Sequence, residues 1–195
     1  FGRVGAMWVR GGASGCCPAI MASANGPSGG YAPVGGSIVC GGVAACIGSS
    51  EFNHGYTYSG HPVAAAVALE NLRILEEEGI IDHVRDVAGP YLKEKWEALA
   101  DHPLVGEAKI VGMMGSIALV PNADSRAPFA EPGHAGFICR ERCFANNLVM
   151  RHVGDRMIIS PPLVITTAEI DVLIARARSA LDEAYAELKK QDLLK

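Results

Sequence analysis

The sequence predicts an α/β chain in two parts, and three textures along it carry that reading. Residues 1–60 are glycine-rich and carry almost no charge between Gly11 and Ser50, with short apolar pieces set between turn signals. From His61 the texture turns helical, with apolar residues recurring at three- and four-residue spacing. Beyond Pro103 and Gly106 strand-like and helical segments follow in a shorter stretch that closes on a long amphipathic helix, a smaller C-terminal domain. The expected domains are 1–102 and 103–195.

In the first part Gly36-Ser-Ile-Val-Cys40 reads as a buried strand, with Gly29-Gly30 and Pro33 as turn signals before it. So much glycine suits backbone that approaches a ligand closely. These strands need partners that this stretch does not obviously supply. Pro62 is well placed for a first helical turn, Val63, Val67, Leu69, Leu72, Ile74 and Leu75 give the helix a broad apolar surface, and Gly79 caps its end. A second helix is expected from Asp82 to about Ala100 on Val84, Val87, Tyr91, Leu92, Trp96 and Leu99, kinked or broken at Pro90.

In the second part Ala108 to Val120 reads as a strand pair or a bulged strand interrupted at Gly112 and Gly115. Ala123 to His134 is a loop, and Ala135 to Asn146 a helix. Leu148-Val149-Met150 and Met157-Ile158-Ile159 read as two strands joined through Gly154-Asp155. Thr166-Thr-Ala-Glu169 has the capping-box pattern, and Ile170, Leu173, Ile174, Ala177, Leu181, Ala184, Tyr185 and Leu188 form one helical stripe.

Composition narrows the function classes. Seventeen basic against 21 acidic residues give a net charge of −4, with no basic run to neutralise phosphates, so nucleic acid is not an expected partner. No apolar stretch approaches the roughly 18–20 residues of a membrane span. The chain opens without Met and shows no signal peptide, as if cut from a longer protein. Its six cysteines (16, 17, 40, 46, 139 and 143) include no CxxC pair. Cys139 and Cys143, four apart, lack a second ligand pair, so no metal site is expected and the setting reads as cytoplasmic and reducing.

The segment richest in chemistry is Glu51-Phe-Asn-His-Gly-Tyr-Thr-Tyr-Ser-Gly-His-Pro62. It places hydroxyls just before a helix N-terminus, where backbone N–H groups favour an anion and Thr57 or Ser59 can add a donor. A plain N-cap turn uses the same residue types. Arg151, near the end of a strand, can grip a carboxylate with two parallel bonds or lie along an edge. Asp155 reads as a turn residue, and capping or packing roles outweigh proton transfer for His54 and His61.

Several segments together resemble the class III group of pyridoxal-phosphate aminotransferases, the omega-transaminases. His54-Gly-Tyr-Thr-Tyr-Ser-Gly-His-Pro62 is nearly letter for letter the segment that precedes a long helix in that family. Phe1-Gly-Arg-Val-Gly5, Gly30-Tyr-Ala-Pro-Val-Gly-Gly-Ser-Ile-Val39, His102-Pro-Leu-Val-Gly106, Val111-Gly-Met-Met-Gly115, Met150-Arg-His-Val-Gly-Asp155 and Ile159-Ser-Pro-Pro-Leu-Val-Ile-Thr166 agree in order and spacing. The likeness weakens only between about Val9 and Ser28. It implies the C-terminal portion of a fold type I large domain followed by the small α+β domain. It also implies pyridoxal 5'-phosphate as cofactor, a homodimer with sites at the interface, and amino transfer from an amine, diamine or omega-amino acid to an oxo acid such as pyruvate. Thr57 would reach the cofactor phosphate of the other subunit, and Tyr56 would line that neighbour's site. Arg151 stands at the position of the family's mobile, carboxylate-binding arginine.

Counting back from Gly30-Tyr31, the family's catalytic lysine falls at position 25, where this chain reads Ala24-Asn25-Gly26. A carboxamide nitrogen is not basic and cannot attach to the cofactor aldehyde, so the chain as written is not expected to transaminate. Three explanations stand: an inactivated shell that still binds cofactor or substrate, a local error at a codon one base from lysine, or a remnant kept for its dimer surface. The resemblance also places the phosphate loop, the ring-stacking aromatic and the pyridine-nitrogen aspartate before Phe1, so weak cofactor binding is expected. Two other readings remain: a non-catalytic dimer-forming fragment, and an aminomutase or racemase on the same fold.

Overall fold

The computed structural model describes residues 1–8 and 17–194. Two compact units form, one from residues 1–2 and 6–81, the other from Arg3–Gly5 and the chain from Asp82 on. This packing division comes earlier than the 102/103 boundary expected from the sequence. The reason is that Val84, Ala88, Leu92 and Trp96, read as the end of the first part, are buried in the core of the second unit.

In the first unit, β1 (Ile20–Ala24) pairs antiparallel with β2 (Gly35–Val39), in a register running from Ile20↔Val39 to Ala24↔Gly35. A 3-10 turn over Gly26–Ser28 follows β1. The strand read at Gly36–Cys40 was expected to be buried; instead Ile38 on β2 is 44% exposed, and Ile20 on its unforeseen partner β1 is 57% exposed. A lone two-stranded ribbon offers both faces to solvent, which is why strand texture alone did not give burial here. Next come α1 (Gly41–Gly48), apolar yet without a buried residue, and α2 (Pro62–Glu77). Pro62 stands in the first turn of α2, and Gly79 just beyond its end has a φ of +62°. Of the apolar surface expected on α2 only Leu75 is buried, and Val63 and Leu69 stay exposed. A short α3 (Ile80–His83) crosses the division, its first two residues closing this unit and its last two opening the second.

In the second unit, the helix expected through Pro90 is built in three pieces. A π turn over Val84–Ala88 is closed by the Gly89 N–H reaching back to the Val84 carbonyl. It is followed by α4 (Gly89–Glu97) and a 3-10 turn over Ala98–Asp101. The wider turn carries the backbone past a proline that has no N–H to donate. Next, β3 (Val105–Val111) and β4 (Met114–Leu119) form a hairpin, so Gly115 lies inside a strand rather than interrupting one. After the loop comes α5 (His134–Ala145), then β5 (Arg151–Val153), β6 (Arg156–Ile159) and α6 (Thr167–Lys190). The sheet order is β3-β4-β6-β5, all antiparallel. The strand expected at 148–150 is displaced to 151–153. The two-residue Gly154-Asp155 loop fixes Val153 opposite Arg156, and Leu148 and Met150 are buried without pairing.

Trp96, Leu92, Ile117, Met157, Ile170 and Leu181 lie at the centre of the core. The capping box on α6 forms as expected, with the Glu169 N–H donating to the Thr166 hydroxyl and the Glu169 carboxylate accepting from the Thr166 N–H. Arg3 ties the N-terminal strap down by donating to the Pro161 carbonyl at 2.6 Å. Among the described residues, no helix is long and apolar enough to cross a membrane. Cys139 and Cys143 are buried, with the Cys143 sulfur 3.7 Å from that of Met150; Cys17, Cys40 and Cys46 are exposed, and Cys16 lies outside the described residues.

His102 gives this unit a pH dependence. It is 2% exposed, its Nδ1 accepts from the Leu104 N–H at 3.1 Å, and its Nε2 faces the Asp182 carboxylate at 3.2 Å. Burial lowers its pKa below the usual histidine value, against the opposing pull of Asp182. The unfolded chain therefore binds the extra proton first. The contribution is fully present above about pH 6.5 and is lost as pH falls from there toward the lower folded value. Urea midpoints measured across that range should decline on acidification, and His102→Gln should flatten the decline.

Candidate functional site

The chemistry of the first unit gathers at the end of β1, where the chain turns into its hairpin loop. Asn25 is exposed and has φ +63° and ψ −50°, close to the rare positive-φ γ-turn region. Hydrogen bonds hold it there. Its N–H donates to the Val34 carbonyl at 3.1 Å, and its carbonyl accepts from Ser28 at 3.3 Å and Gly30 at 3.2 Å. Asparagine is among the few non-glycine residues that tolerate positive φ, so this backbone and this side chain agree.

Sequence reasoning missed the anchor of this loop. The Asn71 side chain, on α2, donates to the carbonyls of Gly26 at 3.1 Å and Pro27 at 3.0 Å. A polar residue amid the apolar positions of α2 was the available signal.

The segment before α2 is a run of turns with exposed aromatics. The Tyr56 N–H donates to the Ser59 hydroxyl at 3.1 Å, and the N–H groups of Ser59 and His61 donate back to the Tyr56 and Tyr58 carbonyls. Phe52, His54 and Tyr56 meet in sequence, the first pair tilted and the second edge to face, with ring centroids 5.6 and 5.4 Å apart. His61 is the N-cap residue of α2 but its ring makes no cap bond. The first N–H groups of α2 thus lack a side-chain acceptor, which leaves them open to an anion. An open cavity of about 660 Å³ is lined by Pro33, Val34, Tyr56, Tyr58, His61 and Ala64, among others. Thr57 and Asn25 are not among its lining residues.

In the second unit Arg151 opens β5 and is exposed. Among the described residues its guanidinium has no hydrogen-bond or ion-pair partner, in contrast to Arg140, which pairs with Glu141 at 2.7 Å and stacks over Phe137 and Phe144. Arg151, Phe144, Val149 and His152 line a shallow cavity of about 280 Å³. An unpaired arginine beside apolar walls can hold a carboxylate through two parallel bonds.

Asp155 does more than turn the chain. Its two carboxylate oxygens accept the N–H groups of Gly133 at 3.0 Å and Gly136 at 2.9 Å, capping α5 from the β5–β6 loop. The missing cap on α5, whose N-cap residue is Gly133, was the sequence signal for it. Gly136 allows this contact, since a Cβ there would stand 2.1 Å from the Gly154 carbonyl oxygen. Asp155→Ala leaves two helix-end donors unpaired and should cost roughly 1–2 kcal/mol, the range of a lost N-cap. A lowered urea midpoint with unchanged m would report it; an unchanged midpoint would refute the capping role.

Comparison with known proteins identifies the family of the chain. The family model described as aminotransferase class-III matches residues 1–181. The putrescine–pyruvate aminotransferase of Pseudomonas aeruginosa is 52% identical over 187 residues, covering 95% of this chain and 41% of that protein. Gamma aminobutyrate transaminase 3 of Solanum lycopersicum is 34% identical over 208 residues, covering 39% of its own length. Among solved structures, the omega transaminase of Pseudomonas jessenii in complex with PMP superposes with a TM-score of 0.90 at 33% identity, over 97% of this chain and 42% of that one. This chain spans about two fifths of the length of the curated relatives it matches.

Proposed function

This chain belongs to the class III aminotransferases, with fold type I, and from that membership we propose a division of labour among its residues. It carries the phosphate contact and the carboxylate grip of an aminotransferase while lacking the reacting amine. The whole protein's reaction is proposed as amino transfer from an amine, diamine or omega-amino acid to an oxo acid such as pyruvate, and the putrescine–pyruvate relative supports the diamine and pyruvate pair. The cofactor-binding part runs over 1–102 and the small domain over 103–195. The helix before His102 then belongs to the first by chain order and to the second by packing.

The residues present fit pyridoxal 5'-phosphate at one end and not at the other. The Thr57 hydroxyl and the uncapped N-terminus of α2 suit the phosphate, and Tyr56 offers an aromatic wall beside them. In the proposed homodimer Thr57 and Tyr56 serve the site of the second copy. Arg151 orients the substrate carboxylate. When bound, the cofactor supplies an electron-withdrawing ring that takes up charge from the amine carbon. Asn25 can neither attach to the aldehyde nor move a proton as a base, so no reaction step is assigned to this chain. The observation that carries the reading is the carboxamide at the end of β1 within an otherwise continuous family match.

Retention of the cofactor by the full chain, titrated by fluorescence with pyridoxal phosphate and with phosphate-free pyridoxal, tests the phosphate contact. The phosphate form should bind more tightly, and Thr57→Val should narrow the difference by about 1.5–3 kcal/mol, the range for a hydrogen bond to a charged group. Equal ratios for the two chains would remove Thr57 from the site.

A further inference from the structure

Position 25 has a chemistry of its own, independent of any cofactor. Of the six asparagines (25, 53, 71, 122, 146 and 147), Asn25 alone is followed by glycine. Its carboxamide is exposed and makes no hydrogen bond among the described residues, not even as the cap of the 3-10 turn it begins. The Gly26 N–H donates to no acceptor among the described residues, because the turn is held by other amides, those of Ser28, Gly29 and Gly30. The carbonyls of Gly26 and Pro27, by contrast, are fixed by Asn71. The nucleophile, the Gly26 nitrogen, and the electrophile, the Asn25 carboxamide carbon, of a ring closure between neighbouring residues are thus both unengaged.

The other asparagines lack this combination. The amide after Asn53 donates to the Phe52 carbonyl at 2.9 Å, and the amide after Asn147 to the Cys143 carbonyl at 2.9 Å. The side chains of Asn71 and Asn146 each donate two hydrogen bonds. The Asn122 side-chain oxygen accepts from the N–H groups of Asp124 and Ser125.

We propose that Asn25-Gly26 is a spontaneous modification site, at which the chain converts its own asparagine to aspartate and isoaspartate with water as the only co-reactant. The Gly26 nitrogen gives up its proton and bonds to Cγ of Asn25, the Cγ–Nδ2 bond breaks, and ammonia leaves. Water then opens the five-membered imide. Cleavage at Cγ gives aspartate, and cleavage at the Asn25 main-chain carbonyl carbon gives isoaspartate; no electrons change hands. Glycine favours the ring because no Cβ obstructs the approach of its nitrogen. The aspartate product leaves the loop's backbone bonds to Val34, Ser28 and Gly30 available. The isoaspartate product reroutes the main chain through Cγ and disrupts them.

The test is incubation of the folded full chain at mildly alkaline pH, with peptide mapping by mass spectrometry and enzymatic methyl labelling of isoaspartate. The residue-25 peptide should be the first of the asparagine peptides to lose its amide, splitting into two acidic isomers of which one takes the methyl label. Asn25→Gln should abolish the label while the other peptides behave as before. Two results would overturn the proposal. One is a residue-25 peptide that keeps its amide in the folded chain yet loses it in urea, which would mean that the hairpin shields it. The other is another asparagine converting ahead of it.

Discussion

Asn25→Lys is expected to let the chain capture pyridoxal phosphate covalently at position 25, where a carboxamide permits at most reversible binding. Lysine supplies the nucleophilic amine that the carboxamide lacks. The backbone sets a cost for the exchange. With φ at +63° a lysine gives up the tolerance that asparagine has for the left-handed side, a strain of roughly 1–2 kcal/mol for an ordinary L-residue. Gain of a cofactor adduct on the residue-25 peptide, together with a modest fall in thermal stability, is the expected pair of results. Adduct formation without destabilisation would mean that the loop relaxes. Destabilisation without an adduct would place the aldehyde beyond reach of β1's end. Strained backbone is a common feature of functional sites, and on the proposed reading asparagine at this position removes the chemistry.

The second large effect belongs to the core of the other unit. Trp96 is fully buried, and its Nε1–H donates to the Ser116 carbonyl at 3.3 Å. Its ring lies so close over Gly115 that a Cβ there would stand 3.0 Å from two ring atoms. Trp96→Ala should cost roughly 3–5 kcal/mol through the cavity and the lost transfer energy, most of the stability of an ordinary small domain. Chemical unfolding of the second unit, followed by circular dichroism, should show an early midpoint or no folded baseline. A midpoint within error of the parent chain would mean that Trp96 is not a keystone of that core.

Much of this was legible in the sequence where the signal is local. The α6 capping box, the Pro62 start and Gly79 end of α2, and the apolar stripe of α6 are written within a turn or two of chain, and they form as read. What could not be read depends on distant partners. The strand at 151–153 rather than 148–150 is set by pairing with β6 across a two-residue loop, and a slip of register changes which face each side chain takes. Exposure of β1 and β2 follows from what else packs on a ribbon, which no periodicity records. Asn71 lies 45 residues from Gly26, and Asp155 lies 22 from Gly133; polar side chains that serve remote backbone groups look like ordinary surface residues in a sequence. At the candidate site the absence of an amine at position 25 was plain from residue type, whereas its positive φ was not.

On the proposed reading, this chain has the fold and flanking groups of an aminotransferase without its covalent chemistry. Borohydride reduction of the full chain incubated with pyridoxal phosphate, followed by peptide mapping, tests it most directly. The expected result is no cofactor adduct on the residue-25 peptide and no amino transfer to pyruvate above a protein-free blank. An adduct on that peptide, or sustained transfer by the chain carrying Asn25, would contradict the claim.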